Sequence, residues 1–283
     1  MGFIEFAAAG LIASSSGYLI DTQAVSQPVT STSALTYADS ADLALAAPVV
    51  AHVRVQKASA LRPRDAAGVA PGYRRFLVEA QMVALIRSPD TLPTRVRFLV
   101  DLPNDSRGRA ARLPKRSEHI VLAEAAAGLP GDIRLIAPDA MLPYDAGTAS
   151  RLRAILTEAA AADAAPRIAG IGRAFHVPGA IPGESETQFF LQTAEGRPVS
   201  ISVLRRPGET PRWAVSLAEI VDEAAEAPRR DTLLWYRLAC TLPPTVPAHA
   251  LAGAEPRERA AISADYDLIV RDLGPCTRNR VRR

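Results

Sequence analysis

Hydrophobic and polar positions alternate along several short segments in the first half of the chain. In the segment 95–101, Val96, Phe98 and Val100 fall on the side of a strand opposite Arg95, Arg97 and Asp101. A period of two is the side-chain period of a strand with one buried side and one solvent-facing side. The same alternation predicts strands over 49–56, 75–87, 95–101, 119–124 and 133–137. Five such strands within about ninety residues predict a small antiparallel β-barrel.

The second half of the chain changes to a helical period. An apolar stripe predicts a helix over 149–162, capped by Thr148 or Asp145 and ended by Pro166. Alternation resumes with a strand over 168–177, and then with a three-stranded meander over 187–193, 199–204 and 213–217. Apolar spacing predicts further helices over 37–46, over 233–241 with Asp231 as the cap, and from Pro256 to Leu273.

These elements predict an α+β protein in which an OB-like antiparallel barrel precedes an α+β domain. We expect a leader or flexible segment over 1–34, the barrel over 35–146, the α+β domain over 147–276 and a basic tail over 277–283. The α+β domain combines the β-meander with a C-terminal helical pair.

The N-terminal residues of the sequence bear on the cellular compartment in which the protein is expected. Phe6–Ala13 is a short apolar run, and Thr32–Ala34 offers small residues for cleavage, which favours a signal peptide and an exported, periplasmic protein. The run is preceded by Glu5 and by no Lys or Arg, so a cytoplasmic protein stays the alternative. No apolar run reaches about 18 residues, so the sequence predicts no transmembrane span.

The charge is modest and unevenly placed. The net charge is +3, and four cations fall in the last six residues, which leaves the body nearly neutral. Only two of the 33 cations are Lys, and this Arg bias, with abundant Ala and Pro, is typical of a GC-rich bacterial genome. Because aromatic residues make up only 5% of the chain, base stacking has few partners, and nucleic acid is a disfavoured ligand.

The two cysteines, Cys240 and Cys276, lie in the terminal helical segment. If the protein is exported, we expect them to form a disulfide, which requires the C-terminal ends of the last two helices to be adjacent. In a cytosolic protein they would be two reduced thiols.

One loop of the predicted barrel is strongly basic. Five cations fall within ten residues of the connection 104–117, and they form the candidate binding loop: Arg107, Arg109, Arg112, Lys115 and Arg116. Together with Arg95, Arg97 and Phe98 on the preceding strand, the loop is compatible with an OB-type nucleic-acid face. The alternatives are a solvated loop, or a patch for an acidic polymer or lipid headgroups.

Candidate catalytic chemistry is confined to one Pro/Gly-rich loop. The segment 176–186 carries His176, Glu184, Ser185 and Glu186 but no GxSxG motif. A hydrolase or transferase with its site there is the enzymatic alternative, and we assign no catalytic residue.

Metal and cofactor motifs are weak. The four histidines have no paired spacing, although His52 and His119 are positioned to meet across neighbouring strands. Gly170 and Gly172 lack the third glycine of a dinucleotide loop and indicate a bulge instead. We therefore expect no metal site and no cofactor.

The strand rhythm from Asp42 to Ala137, including "APVVAHVRVQKA" and "TRVRFLVDLP", resembles the OB barrel of netrin-module and metalloproteinase-inhibitor domains. Inhibitors of that group act through an N-terminal Cys, which this region lacks, so inhibition is not implied. The whole chain also resembles exported bacterial proteins to which no activity is attached. The sequence thus favours a non-enzymatic, envelope-associated protein that binds a protein or envelope partner through barrel loops.

Overall fold

A computed structural model describes residues 35–110, 112–127, 130–217 and 226–280 of the chain. The predicted leader lies outside these residues. In this part the helices are α1 (Tyr37–Ala46), α2 (Ala146–Ala160), α3 (Leu233–Ala239) and α4 (Pro256–Leu273). The strands are β1 (Val49–Ala60), β2 (Tyr73–Arg87), β3 (Arg95–Pro103), β4 (Glu118–Ala125), β5 (Ile133–Leu135), β6 (Met141–Pro143), β7 (Ile168–Pro178), β8 (Ser185–Thr193), β9 (Val199–Arg205) and β10 (Arg212–Ser216). The predicted α+β class is confirmed.

The first sheet is a nearly closed antiparallel barrel. Its strands follow the order β3-β2-β1-β4-β5, and β6 pairs with β4. Three register shifts between β1 and β2 bend these long strands around the barrel. Between β3 and β5, the Arg97 N–H donates to the Gly131 carbonyl at 2.8 Å. A Cβ atom on Gly131 would lie 2.7 Å from the Arg95 carbonyl, so the close approach there requires glycine.

The barrel interior is filled by the apolar half of the alternating pattern. Phe76, Val96 and Phe98 are at most 5% exposed, and they pack with the inward valines and alanines of β1, β2, β3 and β4. The opposite side of β1 and β4 is also covered, because Val50, Ile120 and Leu122 pack into a second cluster. Both sides of β4 and of the first part of β1, residues 49–53, are therefore largely buried.

The second sheet is a four-stranded meander with the order β10-β9-β8-β7. The three predicted strands of the meander are present, and the predicted strand 168–177 extends it to four, because β7 pairs with β8 across the 179–184 connection. Register shifts at Gly170 and Gly172 produce the bulge predicted there. The inner side of this sheet packs against α4. It belongs to one cluster with residues of α2 and α3 and with Val50 and Ile120, so residues of both predicted domains share one core.

Helix ends follow the expected capping chemistry with one correction. Asp145 caps α2 by accepting from the Thr148 N–H at 2.9 Å. The predicted cap of α3 was wrong by one residue. Thr232 accepts from the Trp235 N–H, whereas Asp231 lies outside the helix with a φ of 60°.

A disulfide joins the ends of the last two helices. Cys240 is the C-cap residue of α3, and Cys276 follows α4 by three residues. Their Cα atoms are 5.1 Å apart and their sulfurs are bonded. The helix ends are therefore adjacent, as such a bond requires.

Residues 276–280 form a strap that crosses back to the start of the fold. Arg278 donates to Asp42 at 2.6 Å, and Arg280 donates to Asp139 at 2.7 Å. Two backbone N–H groups of the strap donate to Asp39, which is fully buried on α1. The described part of the predicted basic tail is thus held by carboxylates. Among the described residues, no helix is both long and apolar enough to cross a membrane.

Candidate basic binding site

Two connections of the barrel meet at one end. The β1–β2 connection begins where β1 ends, and the β3–β4 connection begins where β3 ends, so antiparallel order brings them together. The Asn104 N–H donates to the Gly72 carbonyl at 2.7 Å, and Tyr73 is paired with Pro103. We call the segments 61–75 and 101–117 together the basic end. They hold nine Arg and Lys side chains and three carboxylates, an excess of six positive charges.

The first part of the loop 104–117 is an ordered turn. Asp105 accepts from the backbone N–H groups of Arg107 and Arg109, both at 2.9 Å, and from the Arg109 side chain at 2.8 Å. These hydrogen bonds, those of Arg109 above all, hold the pKa of the Asp105 carboxyl below its ordinary value. Gly108 has a φ of 72°, the conformation that closes such a turn. The turn therefore presents Arg107 and Arg109 on a defined backbone.

The second part of the loop is strained at Arg116. Its φ is 66°, in the left-handed region that costs a residue with a Cβ atom about 1–2 kcal/mol. Hydrogen bonds hold it there: the Arg116 N–H donates to the Val55 carbonyl at 2.8 Å, and the Ser117 N–H donates to the Pro114 carbonyl at 3.3 Å. Glycine is the residue such a turn position favours.

The cations of the basic end divide into paired and unpaired groups. Each of its three carboxylates is paired: Asp65 with Arg62 and Arg64, Asp101 with Arg75, and Asp105 with Arg109. Four exposed cations of the candidate binding loop have no carboxylate partner among the described residues: Arg107, Arg112, Lys115 and Arg116. The carboxylates that the structure describes therefore leave these four positive charges uncompensated.

The preceding strand does not supply the expected aromatic face. Phe98 is 2% exposed and points into the barrel, so its assignment to an OB-type nucleic-acid surface was wrong. Arg97 on the opposite side pairs with Asp132 at 2.8 Å. The same alternation that buries Phe98 in the core exposes Arg95 and Arg97.

The two barrel histidines do not meet. In the β1–β4 register Val53, not His52, lies opposite His119, so the two rings point to opposite sides of the sheet. His52 bonds to Glu118 at 2.8 Å and stacks on Tyr144 with ring centroids 3.8 Å apart. The pKa of Glu118 is held below its ordinary value, chiefly by the Arg54 guanidinium. Among the described residues, no group of three or more His, Cys, Asp and Glu has a metal-binding arrangement.

His119 makes stability depend on pH. Burial lowers its pKa below the ordinary value of about 6.5, so the unfolded chain binds the proton more readily. The free energy of unfolding should therefore fall as pH drops below about 6.5. We expect His119→Gln to lose less stability than the wild type between pH 7 and about 5, measured by urea denaturation. Equal losses in both proteins would contradict this.

The enzymatic candidate His176 belongs to a buried polar network. Asp265 on α4 is 1% exposed and accepts from Thr187 Oγ1 at 2.5 Å and from Arg205 Nε at 2.6 Å. Because the only hydroxyl hydrogen of Thr187 points to that carboxylate, His176 Nδ1–H must be the donor in its 2.8 Å bond to Oγ1. The bond therefore fixes the orientation of the ring, with Nδ1 as the donor.

The other candidate groups near His176 do not complete a catalytic set. The Ser185 hydroxyl has no hydrogen bond among the described residues, and Glu186 accepts from Gln188 at 2.6 Å. The side chain of Glu184 lies against the backbone of Gly179. The hydroxyl in contact with His176 is that of Thr187, which is fully buried and donates its hydrogen to Asp265. Among the described residues His176 therefore contacts no accessible nucleophile, and the enzymatic alternative stays a prediction.

Comparison with known proteins assigns no family. Neither a protein-family model nor a curated protein matches the chain. The resemblance to netrin-module domains therefore stays a prediction, and the site has to be interpreted from its own chemistry.

Proposed function

We propose that this chain is an exported, non-enzymatic protein of the cell envelope that binds an acidic partner through its basic end. One observation carries the proposal. Arg107, Arg112, Lys115 and Arg116 are exposed and pair with no carboxylate in the part of the chain that the structure describes, whereas Arg109 beside them is paired. Clustered like charges repel one another, so an external anion is the partner that such a cluster favours.

The strain at Arg116 supports the same conclusion. A glycine there would relieve a cost of about 1–2 kcal/mol. A charged side chain kept in an unfavourable backbone conformation is typical of positions where function outweighs stability.

The disulfide supports export. Disulfides persist in oxidising compartments and are rare in the cytosol, and Cys240 and Cys276 are bonded. Fractionating the producing cells, mapping the mature N-terminus and trapping free thiols test this part. Two reduced cysteines in an uncleaved cytosolic protein would contradict it.

Binding at the basic end is tested by chromatography on immobilised heparin, a polyanion. In the test variant Arg107, Arg112 and Lys115 become Gln and Arg116 becomes Gly. The matched control changes four exposed arginines elsewhere to Gln, which removes the same charge: Arg206, Arg212, Arg229 and Arg257. We expect the wild type and the control to be retained into high salt and the test variant to elute early. Equally early elution of the control would show that net charge alone decides retention and would contradict the proposal.

The single variant Arg116→Gly separates binding from folding. Relief of the left-handed strain should leave the free energy of unfolding unchanged or raise it by up to about 1 kcal/mol. Loss of the guanidinium should nevertheless lower the salt concentration at elution. A variant that is more stable and still binds like the wild type would show that Arg116 is not part of the binding site.

A further inference from the structure

We infer that the acidic partner is the surface of an anionic lipid bilayer, which the basic end contacts in one fixed orientation. This inference rests on the proposed function and specifies the partner of the same site. It follows from three properties of the basic end: the distribution of charge over the chain, the absence of exposed stacking groups, and the form of the surface.

The charge distribution orients the molecule. The basic end has an excess of six positive charges, whereas the other described residues hold 22 Arg and Lys side chains and 22 carboxylates and are neutral together. A negatively charged plane therefore attracts the basic end more strongly than the rest of the described molecule. Because charges beyond about 10 Å are screened at 0.1 M salt, only the loops that face the plane contribute strongly.

The basic end has no platform for nucleobases. Phe76 and Phe98 of the adjoining strands are 5% and 2% exposed and point into the barrel, and Tyr73 is half-buried. Proteins that bind single-stranded nucleic acid combine cations with exposed aromatic side chains on which bases stack. Among the described residues, the exposed cations of the basic end have no fully exposed aromatic side chain beside them, which suits a partner recognised by its phosphate groups.

The cations lie on projecting connections. All five members of the candidate binding loop are exposed, and Arg62 and Arg64 project from the neighbouring connection. Linear polyanions are usually held in a groove that follows their backbone. Two connections projecting from one end of a barrel instead match a flat array of phosphate headgroups.

The expected strength comes from the unpaired cations. Each basic residue near an anionic bilayer strengthens binding about fivefold, so four unpaired cations together give roughly several-hundredfold. The leucines of the basic end, Leu61, Leu102 and Leu113, are half-buried. Binding should therefore be electrostatic and reversible by salt.

Co-sedimentation with phospholipid vesicles tests the inference. The probes are vesicles of phosphatidylcholine alone and vesicles that also contain phosphatidylglycerol, with the wild type, the four-residue test variant and the matched arginine control. We expect the wild type to bind only the anionic vesicles and to be released by raised salt. The test variant should bind the anionic vesicles at least about a hundredfold more weakly than the wild type. The affinity of the control should stay within a few-fold of that of the wild type.

The outcomes separate this inference from the proposed function. Heparin retention through the loop without binding to anionic vesicles would overturn the lipid inference and leave the proposed function intact. Loss of both would overturn both. Equal binding to neutral vesicles, or stronger competition by single-stranded DNA than by anionic vesicles at equal phosphate, would also overturn the lipid inference.

Discussion

Replacing Arg205 by Met is expected to lower the free energy of unfolding by about 3 kcal/mol. Asp265 is 1% exposed, and Arg205 supplies its charge partner through Nε at 2.6 Å and Nη2 at 2.5 Å. Removing one member of a buried ion pair leaves the other charge without compensation, which costs about 3–5 kcal/mol. The lower value applies because the Arg205 side chain is 37% exposed. Equilibrium unfolding in urea measures the effect.

The control for this variant is the adjacent residue. Arg206 is exposed and has no ion pair among the described residues, so Arg206→Met should change stability by less than about 0.5 kcal/mol. Adding Asp265→Asn to Arg205→Met should recover stability, because the neutral amide oxygen still accepts from Thr187 and no unpaired charge stays buried. If Arg205→Met destabilises no more than Arg206→Met, the buried pair contributes nothing measurable.

The strands of the barrel were predictable because alternation directly records which side of a strand is buried. Phe98 and its neighbours on β3 show the pattern clearly, since one side packs and the other contacts solvent. The pattern does not reveal β6, which has only three residues. It also does not mark the end of β1, because Lys57 to Ala60 pair with β2 where both sides of the strand are partly exposed.

Only half of the basic end was recognised from the sequence. The loop 104–117 is conspicuous because five cations fall within ten residues. The segment 61–75 is less dense, and its contribution depends on strand order. An antiparallel arrangement of four consecutive strands places the first and third connections at one end, so the information was available in the topology. Which cations are paired depends on side-chain geometry, and the sequence does not show it.

The polar networks were not predictable because their members are far apart in sequence. Thr187 and Asp265 are separated by 78 residues, and Asp42 and Arg278 by 236. No periodic pattern in the sequence relates residues so far apart, and each of them is a polar residue of the kind expected at the surface. The only available signal was Asp265 itself, a carboxylate at helical spacing between Ile262 and Ile269 on the apolar stripe of α4.

Removing the disulfide with the double variant Cys240→Ala and Cys276→Ala should lower the free energy of unfolding by about 4 kcal/mol. The bond closes a loop with a sequence separation of 36. In the chain-entropy treatment, a loop of this length restricts the unfolded chain by about that amount. Urea denaturation of the oxidised wild type, the reduced wild type and the double variant measures the effect. The last two proteins should agree, and a loss below about 1 kcal/mol would contradict the assignment.

The contacts of the strap should contribute less to the free energy of unfolding once the disulfide is absent. Arg278 reaches Asp42 only when residues 276–280 are ordered, and the bond at Cys276 supplies much of that order in advance. Arg278→Gln should therefore destabilise the oxidised protein more than the reduced one. A double-mutant cycle gives the difference directly as a coupling free energy. Zero coupling would mean that α1 holds the strap without help from the bond. A positive coupling would mean that the disulfide also stabilises the folded state, by presenting Arg278 to Asp42.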